Sequence, residues 1–304
     1  MTEPLSFYRP LPDGRTISAA SFGCSSLWAK PSLDEALAMQ ILEAAQEGGM
    51  NYFDTGPSYA NGEGERRLGR FLAARAAPNL LISTKVGTGF DVRGARMRSF
   101  VPSVMEKLFT ESLGRLGREQ VDILYLHGPS LADLKDEVLQ FLEKEKSRGR
   151  CVWSGVNSFD QRVLEACATL PIDALMVQYN LSDQRVEPLL GKFRARGQIV
   201  ISGTALARAI YSPTTFLPTS RAKLWYLLRA LKTDPLFALK GLRLSRSIEM
   251  IGESGPRAAM RFVVGHPLIH SGAFGTSSVA HMRANIEAAK DPMPPELRKM
   301  FAVA

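Results

Sequence analysis

The sequence predicts a closed, parallel (β/α)8 barrel, on three observations. Apolar runs alternate with amphipathic stretches eight times, at a spacing of about 25–45 residues, which is the rhythm of strand–helix units. Asp54, Lys85 and His127 each close one of those runs, which gathers polar chemistry at the end of the strands where such barrels keep their active sites. No GxGxxG follows the first run, which disfavours an open, doubly wound dinucleotide-binding sheet. A 304-residue chain is an ordinary size for one TIM-type barrel, and 45% hydrophobic residues are enough for its core. The expected organisation is a single domain over 1–304.

Taken in order, Asp13-Gly14 after Pro10 and Pro12 signals a small N-terminal hairpin. TISAASFG reads as the first strand. Ser32 and Glu35 read as a capping box for the first helix, whose stripe of Leu33, Leu37, Ile41 and Ala45 ends at Gly48-Gly49. YFDTG and EGERRLGRFLAARA form the second unit. LLISTKV follows, with Ser103 and Glu106 capping a helix that runs to Gly117. VDILYLHG precedes LADLKDEVLQFLEKEKSRG, CVWSGVNS precedes DQRVLEACATL, and ALMVQYN precedes VEPLLGKFRARG. QIVISGTA leads into an insertion over 209–250 and then GPRAAMRFVVGHP; HSGAFGTS and SVAHMRANIEAA close the series.

No apolar run reaches the roughly 18 residues of a membrane span, and MTEPLSFYRPLPDGRT lacks a basic-then-apolar signal pattern. Cys24, Cys151 and Cys167 are an odd set without metal-ligand spacing, which fits a reduced, cytoplasmic protein and predicts no metal site. The net charge of +8 is concentrated. Between Ser212 and Ser247, Arg221, Lys223, Arg229, Lys232, Lys240, Arg243 and Arg246 face one acid, Asp234, which leaves +6 of the total there. A nucleic-acid-binding chain would spread its cations along a groove or helix, so no nucleic-acid partner is expected. The insertion fits a solvated helical pair with Leu224, Trp225, Leu228, Leu231, Leu236 and Phe237 inside. A lid over the site that draws in an anionic substrate, or a docking surface for an acidic partner or membrane, are the other readings.

Four side chains carry the chemistry: Asp54 and Tyr59 in NYFDTGPSY, Lys85 in LLISTKVG and His127 in VDILYLHGP. A free tyrosine has a pKa near 10, poorly matched to neutral pH, and a nearby ammonium favours the phenolate. Lys85 is therefore expected to make Tyr59 a stronger acid, Asp54 to hold Lys85 in place, and His127 to orient a carbonyl through its ring N–H. The set suits reduction of a carbonyl, with hydride arriving at carbon while Tyr59 protonates oxygen. No HExxH or CxxC is present, so the hydride is expected from an organic cofactor.

Six segments together resemble the aldo-keto reductase family: SFGCSSLW, NYFDTGPSYANGEGERRLG, LLISTKVG, ESLGRLGREQVDILYLH, GRCVWSGVNSF and GTSSVAHMRANIEAA. They span roughly residues 7–290. The resemblance implies a (β/α)8 barrel binding NADPH, or less often NADH, in extended form across the barrel mouth. It implies Tyr59 as general acid/base, Lys85 and Asp54 tuning it, and His127 positioning a small aldehyde, ketone or sugar substrate. Cofactor contacts carried over by position are Gly23 and Cys24, Asp54, the amide-binding group of Asn157, Ser158 and Gln178, and Gly203, Thr204, Leu206 and Arg208 after the seventh strand. Gly275, Thr276, Ser277, Ser278, His281, Arg283 and Asn285 follow in the last unit.

Three positions depart from the family pattern. The usual Ser-Asn order is Asn157-Ser158 here, the Tyr that stacks on nicotinamide is replaced by Gly203, and the usual basic anchors for the 2′-phosphate fall on Ser278 and His281. Tyr211, Trp225 and Tyr226 are candidates for the missing stacking, Arg283 for the missing anchor, and the start of the last helix for a phosphate. Arg283 and the positive charge favour NADPH. Cys24 reads as a small buried side chain before an oxidant sensor, and Trp28 as either pocket lining or a cover for the mouth. The leading expectation is an NAD(P)(H)-dependent oxidoreductase, with specificity in the loops near 87–100 and 209–250. The alternative is a cofactor-binding regulatory or scaffold protein that keeps the barrel. Substrate, reaction direction and oligomeric state are not legible.

Overall fold

Eight parallel strands close into a barrel in the computed structural model, which describes residues 5–75, 79–91, 93–206 and 237–301. The strands in chain order are β1 (Tyr8–Pro10), β2 (Thr16–Ser18), β3 (Ala20–Gly23), β4 (Tyr52–Asp54), β5 (Leu81–Val86), β6 (Thr88–Phe90), β7 (Arg96–Arg98), β8 (Val121–His127), β9 (Cys151–Asn157), β10 (Ala174–Val177), β11 (Ile199–Ser202) and β12 (Ser271–Phe274). The ring runs β3-β4-β5-β8-β9-β10-β11-β12 and returns to β3. β1 and β2 form an antiparallel hairpin before it. The helices are α1 (Ser26–Ala29), α2 (Glu35–Glu47), α3 (Glu63–Ala74), α4 (Pro102–Leu116), α5 (Asp136–Ser147), α6 (Gln161–Cys167), α7 (Glu187–Ala195), α8 (Phe237–Met250), α9 (Gly255–Val264), α10 (Val279–Lys290) and α11 (Pro295–Phe301).

Strand periodicity sorts the side chains. Successive residues point to opposite faces of the sheet, so one set fills the barrel and the other meets the helices. The interior set includes Tyr52, Leu81, Ile123, Tyr125, Trp153, Met176, Ile199, Ile201 and Ala273. Phe53, Ile82, Leu124, Val156, Leu175 and Val200 belong to the layer shared with the helices. Asp54, Lys85, His127 and Asn157 have the interior parity, two residues beyond Tyr52, Ser83, Tyr125 and Gly155. Gly155 is required where it stands: a Cβ there would come within 2.5 Å of the Tyr125 ring.

Several boundaries differ from the sequence expectation, each for a local reason. TISAASFG divides at Ala19, with β2 pairing to β1 and β3 entering the barrel. Asp34, not Ser32, caps α2, because its carboxylate accepts the Leu37 N–H at 2.9 Å. α4 begins with Pro102 after Val101 and has no side-chain cap, since a first-turn proline needs no partner for a missing N–H. Its predicted end holds: Gly117 takes the left-handed conformation, φ 62°. The 87–100 segment is an antiparallel hairpin of β6 and β7, and α11 extends beyond the last predicted helix.

The insertion is described only from Phe237 on. Arg208, Tyr211, Arg221, Lys223, Leu224, Trp225, Tyr226, Leu228, Arg229, Leu231, Lys232, Asp234 and Leu236 lie outside the described residues. In α8, Leu244 and Ile248 are buried while Arg243 and Arg246 are exposed, the pattern of a solvated amphipathic helix. Among the described residues, no helix is long and apolar enough to cross a membrane, and no cluster of His, Cys, Asp or Glu is placed to hold a metal.

Candidate active site

The centre of the site is a buried ion pair. Lys85 is fully buried at the end of β5, and its ammonium donates to both Asp54 oxygens, at 2.6 and 2.5 Å, and to the Thr55 carbonyl at 2.7 Å. Such a charge is tolerated inside a barrel only with that degree of pairing. Burial works against the ammonium, but Asp54 and Tyr59 outweigh it, and the Lys85 pKa lies above its usual value. Beneath the pair, Ser83 Oγ donates to Asp54 Oδ1 at 2.6 Å, Tyr52 lies 2.8 Å from Ser83 Oγ, and Tyr125 lies 3.4 Å from the Tyr52 hydroxyl. This polar ladder anchors Asp54 from inside the barrel. Its signal was the interior parity, since each member stands two residues before Asp54, Lys85 or His127.

Tyr59 reaches the pair through the turn after β4. Its N–H donates to the Gly56 carbonyl at 3.0 Å, and Ala60, Asn61 and Gly62 follow with φ of 50°, 54° and 77° to start α3. The ring centroid lies 5.0 Å from Lys85 Nζ and 5.9 Å from that of His127, edge-on. Burial pushes the phenol above its ordinary value; Lys85 acts in the expected direction, favouring the phenolate, but does not outweigh that burial. Tyr59 is therefore a protonated phenol at neutral pH.

His127 Nδ1 lies 2.5 Å from the Thr88 hydroxyl and 3.4 Å from Ser58 Oγ. Burial first, then Lys85 and Arg96, lower its pKa to about 3, so the imidazole is neutral. His270, on the far side of the barrel wall, is held to about 3 by burial, Arg194 and Arg9. Between pH 6.5 and 3 the unfolded chain binds these two protons and the folded chain does not, so stability rises with pH through that window. The histidine contribution is fully present above about pH 6.5 and is lost as pH falls toward 3. Urea midpoints should fall across that range, and His127→Gln should flatten the slope. An unchanged slope in that variant would show that His127 charges freely in the fold.

Above these groups opens a cavity of about 790 Å³, a size typical of ligand clefts. It brings together Gly23, Asp54, Tyr59, His127, Asn157, Gly203, Thr204, Leu206, Gly275, Thr276 and Ser277 of the expected site. Trp28 lines it too, although the ring is almost wholly buried and donates to the Ala38 carbonyl at 3.1 Å. Lys85 lies below the cavity floor. Ser25, Phe159 and Met176 were not foreseen as lining; loops and the ends of short strands give little periodic signal.

Other expected contacts are engaged elsewhere. Gln178 Nε2 donates to Asp183 Oδ2 at 2.8 Å, and Ser158 Oγ accepts the Asp160 N–H at the start of α6. The Cys24 side chain is fully buried, and burial raises its thiol pKa. Ser278 caps α10 by accepting the His281 N–H at 3.3 Å, and His281 is exposed. Arg283 is paired with Glu47 at 3.0 Å, and Asn285 is buried on α10.

The cavity suits an extended nucleotide cofactor. Gly275 has nothing nearer its would-be Cβ than the Gly23 carbonyl at 3.6 Å, so this wall is a cradle that a side chain would fill. Asn157 supplies an amide beside Tyr59 and His127, and the cavity runs from there to Thr276 and Ser277 at the start of α10, where helix N–H groups favour a phosphate.

A sequence model of the Aldo/keto reductase family matches residues 21–300, and the chain belongs to that family. It is 27% identical over 295 residues to L-galactose dehydrogenase of Arabidopsis thaliana, covering 90% of this chain and 85% of that one. Its fold is similar to that of aldo-keto reductase AKR11C1 from Bacillus halodurans in holo form, with a TM-score of 0.80, 23% identity and coverage of 99% and 98%. It is also similar in fold to an aldo/keto reductase from Klebsiella pneumoniae in complex with NADP and acetate, with a TM-score of 0.74, 18% identity and coverage of 99% and 97%.

Proposed function

We propose that the protein is an NAD(P)(H)-dependent oxidoreductase, with NADPH the favoured cofactor. Its substrate would be an aldehyde, a ketone, or a sugar carbonyl or hydroxyl. The observation that carries this reading is the Lys85–Asp54 pair at 2.5–2.6 Å set beneath Tyr59, with Tyr59 and His127 facing one cavity. The cofactor supplies a hydride. The protein's part is to hold a carbonyl oxygen between the Tyr59 hydroxyl and the neutral His127 ring; in the tautomer with its proton on Nε2, Nδ1 accepts from the Thr88 hydroxyl and Nε2–H orients the carbonyl. Tyr59 then gives its proton to the oxygen as charge develops there, and the Lys85 ammonium steadies the phenolate left behind. The NADP held by the similarly folded Klebsiella pneumoniae aldo/keto reductase and the net charge of +8 support a nucleotide cofactor, and Gly23, Gly203 and Gly275 line the cavity that would take it. Three free, buried cysteines suit a reducing, cytoplasmic compartment.

A regulatory or scaffold role is the second reading. Gly203 in place of a stacking ring and the engagement of Gln178 by Asp183 favour it. Titration with NADPH and NADH, followed by tryptophan quenching, separates the two when paired with turnover of an aldehyde panel. NADPH is expected to bind at least tenfold tighter, about 1.4 kcal/mol, with aldehydes reduced. Tight binding without any turnover would favour the scaffold, and binding of neither cofactor would sink the oxidoreductase reading.

A further inference from the structure

The β6–β7 hairpin stands beside the mouth and has two unlike faces. Gly89, opposite Met97, packs on the barrel's helical layer: a Cβ on Gly89 would lie 2.9 Å from Leu108 of α4. The other face carries Thr88 opposite Arg98 and Phe90 opposite Arg96, because directly paired residues share a face and residues two apart repeat it. That face turns toward the site, since Thr88 Oγ1 touches His127 Nδ1 at 2.5 Å and Arg98 reaches the Gly128 carbonyl at 3.3 Å. Arg98 is occupied by an ion pair with Asp133. Arg96 is exposed and makes no ion pair among the described residues. Asp91, the acid at the hairpin tip, is taken up by the N–H groups of Arg93 and Ala95. The Arg96 charge is felt at both groups that would hold a carbonyl oxygen, lowering the pKa values of His127 and Tyr59 among several causes.

A lone guanidinium on the mouth-facing side of the hairpin is an anchor for an oxyanion. Its fork matches a carboxylate or phosphate in two parallel hydrogen bonds. We infer that the site selects carbonyl substrates that carry a carboxylate or phosphate a few bonds from the reacting carbon, and that Arg96 binds that group. This rests on the oxidoreductase reading above and adds the substrate class to it.

The test is a comparison of matched pairs: 4-oxobutanoate against butanal for the carboxylate, and glyceraldehyde 3-phosphate against glyceraldehyde for the phosphate. Each is measured with saturating NADPH for the natural protein, Arg96→Gln and Arg96→Lys. The natural protein should show a kcat/KM ratio of anionic to neutral substrate of roughly tenfold or more for one pair, the size of one charge-assisted hydrogen bond. Which pair shows it identifies the anion. R96Q should bring that ratio close to one, R96K should retain part of it, and added salt should erode it in the natural protein. A ratio near one in the natural protein, or one that R96Q leaves intact, overturns the inference while the oxidoreductase reading stands. Failure to reduce any of the four, with NADPH bound, overturns that reading and the inference with it. Arg96 is exposed, so folding of both variants is checked by their thermal midpoints, and because the readout is a ratio within one protein, a general loss of activity does not mimic the effect.

Discussion

Tyr59→Phe is expected to lower kcat/KM by about 10²- to 10⁴-fold, the range for loss of a general acid, with affinity for NADPH little changed. Phenylalanine keeps the ring above Lys85, at the 5.0 Å that makes the cation–aromatic contact, and removes only the hydroxyl. The substitution therefore isolates proton transfer from packing. The pH dependence gives an independent reading. With the Tyr59 pKa above its ordinary value and that of His127 near 3, neither group changes charge between pH 6 and 8. The reductive rate should be flat there and fall only in the alkaline range, as the phenol loses its proton. In Y59F that alkaline limb should disappear along with most of the rate. Turnover that survives the substitution would remove Tyr59 from the mechanism, and a limb near pH 6.5 would mean that His127 is the titrating group.

Much of the fold was legible because the barrel writes its period into the chain. Apolar runs on strands covered on both sides, separated by helices with one apolar stripe, leave few alternatives to eight βα units. The site was legible where strands hold it: Asp54, Lys85, His127 and Asn157 are positioned by parity and register. It was less legible where short-range hydrogen bonding decides the outcome. Gln178 has the interior parity but lies past the end of β10, and Asp183, five residues on, captures its amide. Ser158 has the opposite parity and serves α6. The β6–β7 hairpin escaped because its strands are three residues long and its turn, built on Asp91 accepting two N–H groups, has no Asn-Gly or Asp-Gly signature. The effect of Lys85 on Tyr59 was judged from charge alone, whereas the fold adds a burial cost that sequence does not display.

The second large effect concerns the buried pair itself. Asp54→Leu should destabilise the fold by about 3–5 kcal/mol, the usual consequence of leaving one buried charge without its partner. The Lys85 ammonium would keep only the Thr55 carbonyl of its present acceptors, and Ser83 would lose the carboxylate it donates to. Lys85→Met should cost a comparable amount by stranding the Asp54 carboxylate with Ser83 as its remaining donor. The double variant should recover most of the loss, because two apolar side chains of similar volume carry no desolvation penalty. Urea midpoints of the four proteins give the coupling directly, and a strong favourable interaction is expected. Activity should not recover: the double variant is a stable barrel with Tyr59 in place and no ammonium beneath it. That divergence would mean the pair is kept for its charge at Tyr59, since stability alone would be served as well by leucine and methionine. If the double variant were as unstable as the singles, the ladder from Tyr125 to Asp54 would be the structural requirement, and the pair's place in the barrel would need no catalytic explanation.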